Sequence, residues 1–283
     1  MNGPLFSLVL PTYNPGPVLD HTWRQIVDFL KTSPRRWEVL FVCDGCRDGS
    51  DQRLAELTAK TDLPIRVLRS PSNRGKGHAV RRGLLRARGD FRIFTDVDLA
   101  YPLEMVEAMA DQLADGHNIV VASRAHEESD VRHRAGLDRY LRRRKFQSAV
   151  FSAVARTLLG FRSRDPQAGL KGFSAQAVRT ILPYVKCQGF GFDCELLVAA
   201  RYFGISVLEM PVRVVYENTN TTTHLTSASA MLNELLAIRR HWRRIARQGL
   251  DRSILVHAAD LDAARRYRER RAQRMQRRAA AHD

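Results

Sequence analysis

The sequence has no long apolar run: no window approaches the roughly 18 uninterrupted apolar residues of a membrane-spanning helix. The N-terminal residues also lack a charged-then-apolar leader, so no signal peptide is expected. Cysteine is scarce, with four residues in 283, which indicates a reducing compartment. These absences predict a cytoplasmic protein without a transmembrane span, which associates at most peripherally with the inner face of a membrane.

The four cysteines do not have the spacing of a zinc site. Cys43 and Cys46 form one C-x-x-C pair, but Cys187 and Cys194 do not repeat it. A structural zinc ion needs four protein ligands, which this spacing does not supply. We therefore interpret Cys43 and Cys46 as two small residues beside a loop, rather than as metal ligands or a redox pair.

Acidic residues are outnumbered by basic ones, 30 against 46, which gives a formal net charge of +16. The excess lies in a cluster at 142–145 and in the tail from Arg239 onward. A net positive charge of this size is typical of nucleic-acid-binding proteins, which are the alternative from another functional class. No aromatic-interleaved RNA motif or zinc finger is present, so no nucleic-acid partner is expected. Residues 227–248 predict a basic amphipathic helix that either lies on an anionic membrane or packs on the rest of the chain. Residues 251–283 predict a second basic helix or a segment for homo-oligomerisation.

Apolar runs alternate with amphipathic segments along the first hundred residues. Strands are predicted at 5–10, 37–43, 65–68 and 91–95, with helices near 17–31, 51–60 and 76–88 between them. This alternation favours a parallel sheet covered by helices, in which ligands bind beyond the carboxyl ends of the strands. The polar loops at 11–14, 44–48 and 96–98 all follow predicted strands, so we expect them to gather at one edge of the sheet.

Asp96 and Asp98 are the most informative pair in the chain. They directly follow the strand predicted at 91–95, and residues i and i+2 of an extended backbone point to the same side. Two carboxylates facing one point suit a hard cation such as Mg²⁺ or Mn²⁺, which often shares its ligands with substrate phosphates. On its own the pair favours a solvated turn, and only its position at the common edge favours a metal site.

Upstream of this pair, Gly75 and Gly77 bracket Lys76 just before a predicted helix. Glycines and a helix N-terminus allow backbone N–H groups to approach a phosphate. The Walker pattern is absent, however, so this segment alone indicates either a phosphate- or sugar-binding loop or an ordinary turn.

Seven motifs together resemble the GT-A, family 2 glycosyltransferases, and most closely the dolichyl/polyprenyl-phosphate glucosyl- and mannosyltransferases. They occur in the family's order between about residues 5 and 215. The motifs are Pro11-Thr12-Tyr13-Asn14, Asp44-Gly45-x-x-Asp48-Gly49-Ser50, Asn73-Arg74-Gly75-Lys76-Gly77, Asp96-Val97-Asp98-Leu99, Ser123-Arg124, Asp165-Pro166-Gln167-Ala168-Gly169-Leu170-Lys171-Gly172-Phe173 and Gly191-Phe192-Asp193-x-Glu195. The chain departs from the family at Pro15, Cys43 and Cys46, where relatives usually have Glu, Asp and Ser.

The resemblance implies an α/β fold: a GT-A, Rossmann-like sheet covered by helices, with a C-terminal basic helical extension. It divides the chain into a glycosyltransferase domain at 1–217 and an extension at 218–283, which begins with a loop able to close over substrates. The implied activity is inverting, metal-dependent transfer of a hexose from a UDP- or GDP-sugar to a polyprenyl or dolichyl phosphate.

The resemblance also implies roles for individual residues. Asp96 and Asp98 would hold Mg²⁺ or Mn²⁺, and the catalytic candidates are Asp193, Arg124 and Lys76. The predicted nucleotide-sugar ligands are Pro11, Thr12, Tyr13, Asp44, Lys76 and Asp96, and the predicted substrate ligands are Arg124, Arg144, Asp165, Gln167, Lys171 and Glu195. Among these, the resemblance favours Arg124, whereas Arg144 and Lys171 are candidates because cationic side chains bind phosphate, and the cluster at 142–145 is also compatible with a solvated helix face. A lipid phosphate needs cationic positioning and little base catalysis, whereas the alternative acceptor, a hydroxyl of a soluble molecule or natural product, needs a base such as Asp193.

Overall fold

The structure is a computed structural model that describes residues 3–133, 138–216 and 228–249, with side chains for residues 3–132, 149–214 and 230–249. Nine strands lie in these ranges: β1 (Leu5–Thr12), β2 (Arg36–Asp44), β3 (Ile65–Ser70), β4 (Phe91–Phe94), β5 (Ile119–Ser123), β6 (Asp130–His133), β7 (Lys171–Ser174), β8 (Val207–Pro211) and β9 (Arg213–Tyr216). Eight helices accompany them: α1 (Val18–Thr32), α2 (Ser50–Ala59), α3 (Lys76–Arg86), α4 (Leu103–Ala114), α5 (Asp138–Leu159), α6 (Ala175–Ile181), α7 (Phe192–Tyr202) and α8 (Ala228–Arg247).

Seven of the strands form one mixed sheet in the order β3-β2-β1-β4-β7-β5-β8. The pairs β3–β2, β2–β1, β1–β4 and β5–β8 are parallel, whereas β7 runs antiparallel between β4 and β5. Strands β6 and β9 form a separate parallel pair. The four strands and three helices predicted for the first hundred residues are confirmed, and their parallel pairing brings the carboxyl ends of β1, β2 and β4 together.

Both faces of the sheet are buried, because successive residues of each strand point to opposite sides. Along β1, Leu8 and Leu10 enter a core that includes Ile26 of α1, whereas Val9 enters a second core that includes Leu84 of α3. Covering both faces holds the sheet rigidly and leaves its strand ends as the place where polar side chains can collect.

Helix α8 packs on the rest of the chain through one apolar side. Leu235, Ile238, Trp242 and Ile245 of this helix are buried in the core that also contains α7. Of the two arrangements that the amphipathic pattern allowed, packing is therefore confirmed for these four side chains. No helix in the described ranges is long and apolar enough to span a membrane. The predicted closing loop at 218–223 and the second basic helix at 251–283 lie outside the described residues.

Candidate active site

The loops that follow β1 and β2 are joined at the predicted edge of the sheet. The backbone N–H of Arg47 donates to Asn14 Oδ1 at 2.8 Å, and the N–H of Gly16 donates to Asp48 Oδ2 at 3.0 Å. Asn14 itself has a positive φ of 44°, a conformation that asparagine tolerates better than most residues. The two loops therefore form one continuous wall beside the strand ends.

Of the residues predicted to bind the nucleotide, Tyr13 is the most accessible. The residue is 43% exposed, so it does not merely pack beneath α1. Pro11 is half-buried at the end of β1, and Thr12 is buried, with its hydroxyl donating to the carbonyl of Leu10 at 2.9 Å. Tyr13 is thus the side chain of this loop that can offer a surface to a base or ribose.

Asp44 lies at the end of β2, but it is almost fully buried and binds protein groups. Its Oδ2 accepts from the backbone N–H groups of Arg74 and Gly75, both at 2.8 Å, and its Oδ1 lies 2.9 Å from His78 Nδ1. This differs from the predicted direct contact with the nucleoside. Asp44 instead fixes the glycine loop before α3. This structural role was not predicted, because no role had been assigned to His78, its side-chain partner.

The Asp96–Asp98 motif follows β4 in a tight turn. The N–H of Leu99 donates to the carbonyl of Asp96 at 3.1 Å, and the N–H of Ala100 donates to Asp98 Oδ1 at 3.2 Å. Leu99 has a φ of 49°, which is strained for a leucine and costs on the order of 1–3 kcal/mol. Backbone strain of this kind is typical of functional sites, and here it occurs in the turn that carries the two carboxylates.

Lys76 supplies the positive charge at this motif. Its Nζ lies 2.6 Å from Asp96 Oδ1, and its side chain is 31% exposed. Desolvation lowers the pKa of Lys76, but the charges of Asp96, Asp193 and Asp98 outweigh this effect and leave the pKa above its ordinary value. Desolvation, followed by the charge of Asp96, raises the pKa of Asp98. The structure therefore brings together Lys76, Asp96, Asp98 and Asp193, four residues predicted from three separate motifs.

Gly169 provides the space in which the Asp96 carboxylate lies. A Cβ atom at position 169 would stand only 2.1 Å from Asp96 Oδ2, so only glycine leaves room for this carboxylate. Gly169 belongs to one of the family motifs, but no role was predicted for it. In the sequence it is only a glycine two residues before a strand, and the local pattern does not show that it lies next to Asp96.

The residues at this motif fit a hard divalent cation. The two carboxylates offer oxygen ligands, and Gly169 keeps the space around Asp96 open. Within the described ranges, no group of three or more His, Cys, Asp and Glu side chains could hold a metal by itself. Mg²⁺ and Mn²⁺ sites of the nucleotide type need only one or two carboxylates, because the substrate phosphates complete the coordination.

Asp193 stands at the first turn of α7 and is held by a buried lysine. Lys171 Nζ donates to Asp193 Oδ1 at 2.7 Å and to the carbonyl of Ala168 at 2.6 Å. The Lys171 side chain has no exposed surface, so the predicted contact between Lys171 and substrate is corrected to an anchoring contact with Asp193. The side chain of Asp193 keeps 8% of its surface exposed.

Arg124 and Asp165, predicted as separate substrate ligands, bind each other. Arg124 donates to the two carboxylate oxygens of Asp165 through Nε at 2.6 Å and Nη2 at 2.8 Å, and its backbone N–H adds a bond of 3.0 Å. Desolvation alone would raise the pKa of Asp165, but the bonds and charge of Arg124 hold it below its usual range. The pair joins the end of β5 to the segment before β7. Gln167, in that segment, is half-buried.

Glu195 is fully buried and braces α7 rather than facing a cleft. Its Oε2 accepts from the N–H groups of Lys186 and Cys187, and its Oε1 accepts from the indole N–H of Trp242 at 3.0 Å. Desolvation raises its pKa in spite of these bonds. The predicted contact between Glu195 and substrate is therefore corrected to a structural contact between α7 and α8.

Helix α8 also reaches the loop that precedes Asp193. Glu234 Oε2 accepts from the backbone N–H of Gly191 at 2.7 Å, directly before α7. This contact was missed because Glu234 lies 43 residues further along the chain. Arg144, the last predicted substrate ligand, is in α5, and its side chain lies outside the described residues.

Comparison with known proteins identifies the family. The profile of the family described as Glycosyl transferase family 2 matches residues 7–182, which is more than half of the chain and includes the Asp96–Asp98 motif. The chain belongs to glycosyl transferase family 2. The predicted fold class, a GT-A sheet covered by helices, is thereby confirmed.

Several curated relatives are dolichyl-phosphate beta-glucosyltransferases. The dolichyl-phosphate beta-glucosyltransferase of Saccharomyces cerevisiae is 30% identical over 224 residues, covering 73% of this chain and 65% of that protein. A dolichyl-phosphate beta-glucosyltransferase of Trichomonas vaginalis is 32% identical over 218 residues, covering 73% of this chain and 62% of the relative. The chain therefore spans less than two thirds of the length of these relatives.

A similar solved structure is glucosyl-3-phosphoglycerate synthase from Mycobacterium tuberculosis in complex with Mn²⁺, uridine diphosphate and phosphoglyceric acid. It superposes with a TM-score of 0.59 at 19% identity, covering 84% of this chain and 79% of the synthase chain. Another crystal structure of the synthase contains Mg²⁺ and uridine diphosphate, with a TM-score of 0.58 at 20% identity. At this identity the likeness shows the shared fold.

Proposed function

We propose that this chain is a metal-dependent glycosyltransferase that moves a hexose from a nucleotide diphosphate sugar to a polyprenyl phosphate. The observation that carries the proposal is the grouping of Asp96, Asp98 and Lys76 at the end of β4, within a confirmed family 2 fold. The names of the curated relatives support a glucosyl donor and a dolichyl-phosphate acceptor, so UDP-glucose is the first donor to examine.

The donor would lie along the wall formed by the loops after β1 and β2. The exposed ring of Tyr13 offers an apolar surface for the base or ribose, and Asp44 supports the opposite loop by fixing Arg74 and Gly75. Lys76 would place a positive charge beside the diphosphate. Asp96 and Asp98 would hold Mg²⁺ or Mn²⁺, which when bound neutralises the charge that develops on the departing diphosphate.

The acceptor is proposed to be a phosphate because such a nucleophile needs little base catalysis. A phosphate monoester has a second pKa of about 6, so it is largely deprotonated at neutral pH. Lys171 already holds Asp193 in a buried ion pair, which orients this carboxylate at the start of α7. Arg144 stays a proposed acceptor ligand, since arginine recognises phosphate through paired donors.

A transfer assay with two matched acceptors tests the proposal. Purified protein with UDP-glucose and Mn²⁺ should glucosylate polyprenyl phosphate in detergent micelles, but not the polyprenol of the same chain length. Transfer to the polyprenol, or to soluble hydroxyl acceptors alone, would contradict the phosphate acceptor and favour the hydroxyl alternative. Analysis of the product anomer in the same assay tests the predicted inversion.

The metal motif is tested in this assay with a pair of charge-removing variants. Asp96→Asn should abolish transfer, because it weakens both the metal ligand and the partner of Lys76. Asp62→Asn removes the same charge from an exposed residue before β3, at the opposite edge of the sheet, and should leave transfer unchanged. Equal rates for the two variants would contradict the assignment of the site.

A further inference from the structure

Cys43 lies near the end of β2 and Cys46 in the loop that follows, both beside the last residue of β1. In the pairing of β1 with β2, Cys43 stands opposite Thr12. The Cys46 sulfur lies 3.6 Å from the carbonyl oxygen of the same Thr12. Both thiols are therefore next to one residue of the loop that carries Tyr13, and both are free.

The two thiols differ in pKa and in access to solvent. The neighbouring Cys46 thiol, followed by burial, raises the pKa of Cys43. The neighbouring Cys43 thiol, against the effect of burial, lowers the pKa of Cys46. Cys43 is 1% exposed, whereas Cys46 is only partly buried. Cys46 is thus the thiol that combines access with thiolate character, which together control cysteine reactivity.

The other two cysteines provide an internal contrast. Burial raises the pKa of Cys187 to about 12 and also raises the pKa of Cys194, which is fully buried in α7. Backbone hydrogen bonds from Gly189 and Gly191 lower the pKa of Cys187, and the charge of Lys171 lowers the pKa of Cys194, but burial outweighs these effects at both positions. Reactivity toward oxidants is therefore expected at one of the two cysteine pairs only.

In place of the interpretation from sequence as two small residues beside a loop, we propose that Cys43 and Cys46 are a thiol modification site that closes to a reversible disulfide in the presence of a small disulfide oxidant. The Cys46 thiolate attacks one sulfur of the oxidant, forms a mixed disulfide and releases one thiolate. Cys43 then loses its proton to solvent and attacks the Cys46 sulfur, which releases the second thiolate of the oxidant. The two cysteines are oxidised by two electrons, and the oxidant is reduced to two thiols.

Closing the disulfide would act on the loops that line the proposed donor site. A disulfide needs a sulfur–sulfur distance of about 2.05 Å, so the sulfurs of these two free cysteines must approach each other. Cys46 would leave the Thr12 carbonyl, and the adjoining Arg47 would shift relative to Asn14, to which its N–H now donates. This consequence rests on the proposed function, whereas formation of the disulfide does not.

Peptide mapping tests the disulfide directly, because trypsin places each cysteine pair in a single peptide. Cleavage after Arg36 and Arg47 yields residues 37–47, and cleavage after Lys186 and Arg201 yields residues 187–201. After treatment of the folded protein with oxidised glutathione, peptide 37–47 should be lighter by two hydrogens and should regain them with dithiothreitol. Peptide 187–201 should retain both thiols.

Chain unfolded in guanidinium supplies the positive control, since both peptides are then open to oxidation. Peptide 37–47 remaining reduced in the folded protein while it oxidises in the unfolded chain would overturn the proposal. Equal oxidation of both peptides in the folded protein would also overturn it, because the site would then have no selectivity.

Two single variants test the order of attack. In Cys43→Ala, Cys46 should accumulate a mixed disulfide with glutathione, because no second thiol is present to displace it. In Cys46→Ala, the buried Cys43 should stay reduced. The opposite pattern would contradict the assignment of Cys46 as the attacking thiol. If a variant fails to fold, the peptide map of the wild-type protein still shows whether the disulfide forms.

Binding of UDP with Mn²⁺ to reduced and oxidised protein tests the consequence for the donor site. Oxidation should weaken binding roughly tenfold, the size expected for about one lost hydrogen bond. The double variant Cys43→Ala/Cys46→Ala should be insensitive to oxidised glutathione. If the reduced protein fails to bind UDP, the proposed function is contradicted. The mass of peptide 37–47 still shows whether the disulfide forms.

Discussion

Replacing Gly169 with alanine should disable the metal motif while leaving the fold nearly intact. The new Cβ would stand 2.1 Å from Asp96 Oδ2, whereas ordinary contact begins at 3.4 Å, so the carboxylate must move by more than one ångström. The displaced atom ends a flexible side chain, so the free energy of unfolding should change little. A misplacement of this size in an active site can reduce the rate about 100-fold.

The measurement is the initial rate of transfer from UDP-glucose across a Mn²⁺ titration, together with the unfolding midpoint in denaturant. Gly172→Ala is the matched control, because its Cβ would meet Leu113 and Met109 in the core rather than the motif. This control should lose about 1–3 kcal/mol of stability by overpacking but keep the Mn²⁺ dependence of wild type. Wild-type rate and Mn²⁺ dependence in Gly169→Ala would refute the reasoning.

Three further predictions concern the contacts around the site. Lys171→Met should destabilise the protein by roughly 3–5 kcal/mol in denaturant unfolding, because it leaves the Asp193 carboxylate buried without its partner, and adding Asp193→Asn should restore part of the loss. The lowered pKa of Asp165 stabilises the fold above its unfolded pKa, and this stabilisation is lost as pH falls through the folded pKa. Unfolding free energy should therefore fall less in Asp165→Asn than in wild type between about pH 5 and pH 3, and equal slopes would contradict this. Glu234→Ala should cost about 1.5–3 kcal/mol and speed hydrogen exchange at the Gly191 amide, whereas Glu234→Gln, which keeps an acceptor, should cost less.

Local pattern was sufficient to predict the first four strands and the edge at which their loops meet. The apolar runs are short and end in glycine, proline or aspartate, so both the strands and their ends are visible in the sequence. The position of Asp96 and Asp98 directly after β4 is likewise visible in the sequence, although the pair lies in a tight turn and not in the extended backbone that the i, i+2 spacing assumed. These features depend on neighbours in the chain, which is why they could be predicted.

Contacts between distant residues could not be predicted in this way. The apolar periodicity of the chain does not show that Lys171 enters β7 and pairs with Asp193, 22 residues later. It also does not show that Trp242 reaches Glu195 from α8. Two charged residues predicted to face substrate, Lys171 and Glu195, are instead buried, and each is bound by a partner that the tertiary fold places beside it. Burial of a charge depends on that partner, and the partner is set by topology rather than by spacing.

The central claim is that Asp96 and Asp98 hold a divalent cation together with a nucleotide diphosphate. The most direct measurement is the thermal midpoint of the protein with UDP, with Mn²⁺ and with both, in wild type, Asp98→Asn and the control Asp62→Asn. Ligands that bind the native state raise its apparent stability. The account predicts a shift with both ligands that exceeds the sum of the separate shifts, is lost in Asp98→Asn and is kept in Asp62→Asn. A UDP shift that is the same without Mn²⁺, or that survives in Asp98→Asn, would contradict it.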